Sequence, residues 1–427
     1  MTLKGERTSS AQELIPPAWR RLGLLLSLFL APGAHGGGWA KPDVHGNAKL
    51  RYAQDRTAGL ESHQAAAYMA LDGRNMFWDK LGFTVDVRDR FNYEKSDLGS
   101  ERRNAFTAYQ ANVSLNDLAG GFALKAGRQY YYAGETTAHF DGGAVEWQNW
   151  RWLKLSAYGG KPADGMGPPT AAGFRGAAVK LGSGRKGYVQ LDLLLAEHNG
   201  RYATDRDQQA TVFRRLPLGL DFTGNVSFLN RLPKSASARL LCYVPSLGLT
   251  VTPRYYRHMY VGDPASEELS PYQRSLAVLE PFQKYGVGVS KYFKLGLSLS
   301  GGTDTTMPAR RQNYYLSAAA PNLFVKGLEG ILSLAYETQG SRRTSSLSVG
   351  AGYGLSSSLR LSAGSSFNRS RENTEWGGFR SESRTYYATL KWSRGKRMDV
   401  SFSPSLVQTS ASSSPIQRFE LNNNFRF

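Results

Sequence analysis

Few side chains in this chain can act as nucleophile, base or soft metal ligand at neutral pH. Cys242 is its one cysteine, so an intrachain disulfide, a CxxCH haem attachment and any cysteine-rich zinc or iron–sulfur site are excluded. Within Arg239-Leu-Leu-Cys-Tyr-Val244 it reads as a small apolar residue on a strand. The six histidines are His35, His45, His63, His139, His198 and His258, and none has the HExxH spacing of a metal site. His139, followed by Phe140 and Asp141, is the best candidate for acid–base work. Serine is so abundant that a Ser–His pairing carries no information, and no phosphate-binding loop occurs. The expectation is a protein that is not an enzyme and needs no cofactor or metal.

The charged residues say more. Lysine and arginine number 53 against 34 aspartate and glutamate, a net charge of +19. Residues 1–40 hold Lys4, Arg7, Arg20 and Arg21 against Glu6 and Glu13, so nearly all the excess belongs to the rest of the chain. The basic residues are scattered rather than clustered, which argues against a nucleic-acid partner. Arg88, Arg90, Arg254, Arg360 and Lys391 stand on the polar sides of alternating segments, where a packed β-sandwich would need a neutral edge or a partner.

Those segments are the elements that must position them. Leu81, Phe83, Val85, Val87 and Phe91 alternate with Thr84, Asp86, Arg88, Arg90 and Asn92. Leu347, Val349, Ala351, Tyr353 and Leu355 alternate with Ser346, Ser348, Gly350, Gly352 and Gly354. A period of two puts each set on its own side of a sheet, giving one apolar and one wet face. The same pattern recurs from about Asp43 onward. With 46 Gly, 23 Tyr and 20 Phe and a mean hydropathy of −0.42, nothing after residue 40 approaches the roughly 18 apolar residues of a spanning helix. A membrane form must then be a closed barrel, because lipid satisfies no backbone hydrogen bond. Aromatic residues at strand ends (Tyr130-Tyr131-Tyr132, Trp147, Trp150, Trp152, Tyr255-Tyr256, Trp392) suit interfacial girdles.

Both ends of the chain carry signals. Arg20-Arg21, the apolar run Leu22–Ala31, Pro32 and the small residues after it read as a secretory signal over residues 1–40. The last strand, Arg418–Phe427, places Phe419, Leu421, Phe425 and Phe427 on one face. A terminal Phe on such a strand closely resembles the assembly signal of Gram-negative outer-membrane barrels. That resemblance implies an outer-membrane location, contact with lipid and lipopolysaccharide, and the barrel-assembly machinery as a partner, with Phe425 and Phe427 as the signal. The expected fold is all-β: residues 41–427 form a transmembrane antiparallel barrel of about 20 strands, range 18–22, at roughly 9 to 11 residues per span. No separate plug domain is expected. Lys95–Arg103, Gly159–Gly173, Val261–Arg274 and Asn368–Ser383 are candidates for outer loops or for folding inward.

Gly127-Arg128-Gln129 followed by Phe140-Asp141-Gly142 resembles the GRQ…FDG pattern of alginate-export-type porins and related channels. In the alternation through Phe122, Leu124 and Ala126, Arg128 falls on the lipid side. It must therefore lie near a rim or be reoriented by a bulge, and Arg128 pairing with Asp141 to pin the loop is the structural reading. A looser resemblance, of size and missing haem ligands, is to the barrel of porin–cytochrome conduits, which implies a periplasmic or multihaem cytochrome partner. The leading expectation is a channel for small polar or anionic solutes through a basic lumen. The alternatives are a sleeve around a multihaem cytochrome or a polysaccharide export channel. Equally open is a role for loop Lys and Arg in binding lipopolysaccharide phosphates or acidic partner proteins.

Overall fold

The computed structural model describes residues 43–427 except 58–59, 77–79, 97–98, 119, 134–135, 164–170, 199–203, 375–376, 413 and 427. The expected signal over residues 1–40 and the terminal Phe427 therefore lie outside the described residues. What is described is a single antiparallel sheet of 22 strands that closes on itself.

The wall begins with β1 (Asp43–Thr57), β2 (Leu60–Met76), β3 (Leu81–Ser96), β4 (Gly99–Leu118), β5 (Phe122–Ala133) and β6 (Thr136–Trp150). It continues through β7 (Leu153–Pro162), β8 (Ala171–Ser183), β9 (Gly187–His198), β10 (Asp205–Leu216) and β11 (Leu220–Leu229). The second half is β12 (Leu232–Val244), β13 (Leu249–His258), β14 (Phe282–Tyr292), β15 (Ser298–Met307), β16 (Arg311–Ala320) and β17 (Leu328–Gln339). The last strands are β18 (Arg342–Gly354), β19 (Leu359–Thr374), β20 (Gly377–Arg394), β21 (Met398–Thr409) and β22 (Ile416–Arg426). Each strand pairs with its chain neighbour, and β1 closes the ring on β22 from Asn47↔Arg426 to Arg56↔Gln417. Two ion pairs cross that seam on its polar face, Arg51 to Glu420 at 2.9 Å and Arg418 to Asp55 at 2.6 Å. Closure leaves no strand edge unpaired, so every ladder bond can be made without water.

The strand count lies at the top of the expected range. Alternation is weak in the sequence over 144–150, 205–213 and 311–319, yet these residues lie in full strands, β6, β10 and β16. Two expected loops, Lys95–Arg103 and Asn368–Ser383, are largely strand, because β3–β4 and β19–β20 pair almost to their tips. Strands β2, β4 and β20 reach 17, 20 and 18 residues, well beyond the roughly 10 that span a bilayer.

Alternation sorts the side chains as expected. One face carries exposed apolar residues such as Val113, Leu124, Leu181, Leu191, Val226 and Leu332, and it faces outward. The opposite face carries the charged and hydroxylated residues and encloses the lumen. At the short-turn end Trp150 and Trp152 stack at 5.2 Å, with Trp147 edge-on to Trp150 at 5.5 Å, an arrangement suited to an interface girdle. Not every expected girdle residue faces out. Tyr131 turns to the lumen, stacks on Tyr158 at 3.7 Å and bonds Ser156. Tyr256 shares the lumen face of β13 with Arg254 and packs on Phe282. In a run of adjacent aromatics the pleat must send every second ring to the other side.

Candidate functional site

Arg88 and Arg90 on β3, Arg254 on β13, Arg360 on β19 and Lys391 on β20 all stand on the lumen face by register. They do not form one constellation. Arg360 and Lys391 are register partners, Arg88 and Arg90 share a strand, and Arg254 is far from both pairs along the wall. Arg254 forks onto Asp304, Nε to Oδ1 at 2.8 Å and Nη2 to Oδ2 at 2.6 Å, with Lys284 at 3.7 Å from the same carboxylate. Arg360 bonds Glu329. Lys391 lies 3.5 Å from Asp399, which also takes Arg426 and the Ser393 hydroxyl. Arg88 sits 4.7 Å over the Tyr68 ring.

The two halves of the wall differ. From β13 to β22 Arg254, Arg311, Arg360, Lys391 and Arg426 on the lumen face are each met by an acid, Arg311 by Glu337 at 2.9 Å. From β3 to β12, Arg88, Arg90, Lys125, Lys180 and Arg239 have no carboxylate within ion-pair distance among the described residues. Lys125, Lys180 and Arg239 were not singled out by sequence, although each sits at an alternation position that would have placed it inside. Lys180 borders a cavity of about 300 Å³ lined also by Tyr131, Glu146, Lys154, Ser156 and Gln190. Lys154 pairs with Glu146 at 2.8 Å, and Lys180 Nζ sits 3.7 Å over the Tyr188 ring. Beside this cavity the lumen face is apolar: Phe140, Tyr158, Phe174 and Leu194 are buried together.

The connection from β13 to β14 folds inward. It contains a short helix, Pro271–Ala277, begun by Ser270 as N-cap in a reciprocal capping box with Gln273, with Pro271 in its first turn. Two lumen-face aspartates of β10 hold it to the wall. Asp205 accepts from the Ser270 hydroxyl at 2.5 Å and from Asn230 at 2.6 Å, and lies 2.8 Å from His198 Nε2. Asp207 accepts from the Tyr272 hydroxyl at 2.6 Å and from Lys234 at 2.5 Å. Lys234 reaches it because β12 bulges there: Ser235 pairs with Ser227 and Pro233 with Phe228. Leu229, Tyr260, Tyr272 and Ala277 close an apolar cluster under the segment. Burial, and then the Asp205 carboxylate, push the Tyr260 hydroxyl above the ordinary phenol range, so it stays neutral. Period-two alternation marks Asp205 and Asp207 as lumen residues; their partners 65 residues on leave no local signal.

Arg128 and Asp141 are brought together, on the outward face. Nε and Nη2 of Arg128 each lie 2.7 Å from one carboxylate oxygen, and Nη1 donates to the Ala108 carbonyl at 3.2 Å. The bulge belongs to the neighbouring strand: β4 pairs Gln110 with Asp86 and Ala108 with Val87, leaving Tyr109 unopposed. His139 Nε2 lies 2.6 Å from the Tyr109 carbonyl, and the ring stacks on Tyr130 at 4.3 Å. His139 and Arg128 therefore occupy the carbonyls that the bulge leaves over, and neither faces the lumen. On β22, Phe425 faces outward with Leu421 and Phe419, opposite Ala48 of β1 and Met398 of β21.

No protein-family profile and no curated protein matches the chain. Solved structures do. The translocation pore of the P pilus usher (PapC) superposes with a TM-score of 0.56 at 10% identity, over 90% of this chain and 99% of that one. The usher in an E. coli P pilus tip assembly intermediate (PapC-PapD-PapK-PapG) gives 0.54 at 11% identity, over 93% of this chain and 62% of that longer one. Pseudomonas aeruginosa OccK7 (OpdD) gives 0.39 at 12% identity, over 91% and 99%. At such identities the likeness is one of backbone architecture: in fold the chain is a closed antiparallel β-barrel of 22 strands, similar to the usher translocation pore.

Proposed function

We propose that the protein resides in the outer membrane of a Gram-negative cell and passes small polar or anionic solutes through its lumen. The observation that carries this reading is the β3–β12 wall. Arg88, Arg90, Lys125, Lys180 and Arg239 line it without carboxylate partners among the described residues, and the Pro271–Ala277 segment is latched inside the ring. Lumen cations with no carboxylate within ion-pair distance raise the local concentration of anions along the wall. An anion moving along this wall would exchange guanidinium and ammonium partners in turn, while the inward segment limits its size. The sleeve reading rests on barrel size and missing haem ligands, the polysaccharide-export reading on the Gly127–Gln129 and Phe140–Gly142 resemblance, whose Arg128 and Asp141 pair with each other; neither draws support from these lumen residues.

The test is the reversal potential of the folded barrel in planar bilayers under a potassium chloride gradient. Anion preference is expected, lowered by Arg88→Gln combined with Arg239→Gln. A folded barrel that never conducts, or conducts with cation preference, overturns the reading.

In the same reading the outward face of β22, with Phe419, Leu421 and Phe425, serves recognition by the barrel-assembly machinery together with Phe427. Phe425→Ser is expected to lower the amount of heat-modifiable barrel in outer-membrane fractions. An unchanged amount removes Phe425 from that role.

A further inference from the structure

Above the apolar belt of β17–β20 the outward face carries an arrangement of charge that a barrel wall does not need for itself. Arg343 of β18 is the register partner of Arg371 of β19, and Arg371 is the register partner of Arg380 of β20. Three arginines thus stand side by side across three strands, where like charges directly opposite are destabilising. One step toward the belt, Arg369 faces Glu382, which Arg380 also bonds. One step further, Arg384 lies 5.6 Å over the Phe367 ring. Among the described residues Glu382 is the one carboxylate in this group, and Arg343 and Arg371 pair with none.

Several outward-facing cations elsewhere near this end stand beside a carboxylate among the described residues. Arg175 pairs with Glu197 at 2.9 Å, Arg128 forks onto Asp141, and Arg56 stands opposite Glu61. The row also has a defined height. Arg343 is the second residue of β18, next to the turn that follows β17, and Tyr336, Leu347 and Phe367 lie directly below it on the same face. That level is the membrane surface on the side of the longer connections, which is the external side in outer-membrane barrels.

We propose that Arg343, Arg371 and Arg380, with Arg369 beside them, bind the phosphate groups of a phosphorylated glycolipid in the external leaflet. The guanidinium forks suit phosphate oxygens bidentately, and a dianionic group set between them turns mutual repulsion into attraction. The Thr338 hydroxyl next to Arg343 and the Ser345 hydroxyl next to Arg369, both register neighbours, supply further donors. Acyl chains of the same molecule would run down over Phe367 and Leu347. The proposal rests on membrane residence and orientation as read above, and not on conduction.

The test measures binding of the folded full-length protein in detergent to four probes: bisphosphorylated lipid A, the same lipid dephosphorylated, phosphatidylglycerol and inorganic phosphate. Native mass spectrometry or calorimetry reads the affinities. Bisphosphorylated lipid A is expected to bind about ten-fold or more tightly than each of the others. The variant Arg343→Gln/Arg371→Gln/Arg380→Gln should lose that difference while keeping its conductance. Equal binding of the dephosphorylated lipid, or a triple variant that binds as wild type, overturns the proposal. Equal binding of phosphatidylglycerol overturns the glycolipid as source, and equal binding of inorganic phosphate overturns a lipid source altogether. If the triple variant fails to fold, the wild-type comparison of the phosphorylated and dephosphorylated lipid still decides. A barrel that binds lipid A in this way but does not conduct sinks the channel reading and leaves this one standing.

Discussion

At the scale of single residues, the Arg128–Asp141 pair shows what the outward face tolerates. A lone charge facing lipid is costly, so each of the two ions is held there by the other, with the Ala108 carbonyl as a third partner. Asp141→Asn should therefore destabilise the folded barrel by about 2–4 kcal/mol, because it strands the guanidinium. Arg128→Met should cost a similar amount, and the double variant Arg128→Met/Asp141→Asn less than the sum of the two. Equilibrium unfolding in lipid vesicles, followed by tryptophan fluorescence, gives the double-mutant cycle; additive costs would show that the fork contributes no coupling. The face of Arg128 was legible in the alternation of Phe122, Leu124 and Ala126. The bulge that employs it was not, since the extra residue Tyr109 lies in another strand and changes nothing in Arg128's own pattern.

At the scale of elements, two local devices shape the lumen. The inward segment is held by hydroxyl-to-carboxylate bonds, so Tyr272→Phe removes one donor to Asp207 and should loosen the latch by about 1–2 kcal/mol. Asp207→Asn should cost more, because it also leaves the buried Lys234 without its anion. Hydrogen exchange over residues 259–281 is the measurement: protection there should fall about ten-fold per 1.4 kcal/mol while the strands keep theirs. Unchanged exchange would mean that the apolar cluster under the helix holds the segment alone. The second device is a glycine row on the lumen face, Gly127, Gly142 and Gly160, in register across β5, β6 and β7. A Cβ at these positions would come within 2.3, 2.1 and 2.4 Å of a neighbouring carbonyl oxygen. Gly142→Val is accordingly expected to abolish the heat-modifiable folded form on gels, whereas Gly184→Ala, with open space around its position, should leave it intact. The strands themselves were readable from period two and the turns between them. The latch was not, because a loop's docking partner is chosen by closure of the sheet, which brings β10 and the β13–β14 connection onto one wall.

At the scale of the whole molecule, ring closure converts scattered charge into a field with a direction. A net charge of +19 says only that cations exceed anions. The barrel divides them among the paired β13–β22 wall, the barer β3–β12 wall and the outward arginine row of β18–β20. If conduction follows the bare wall, the two halves should respond oppositely to neutralisation. Arg88→Gln/Arg90→Gln removes lumen cations that no acid offsets, so anion preference should fall. Asp304→Asn withdraws the carboxylate that Arg254 and Lys284 share, frees both cations, and should raise anion preference without adding a positive residue. Both shifts should be largest at low ionic strength. The screening length is about 10 Å at 0.1 M salt and about 3 Å at 1 M, so only charges lining the path itself retain influence at the higher concentration. Reversal potentials at the two salt levels separate the contributions. If Asp304→Asn and Arg88→Gln/Arg90→Gln move selectivity in the same direction, the permeating ions do not follow this wall, and the bare cations serve folding or assembly instead.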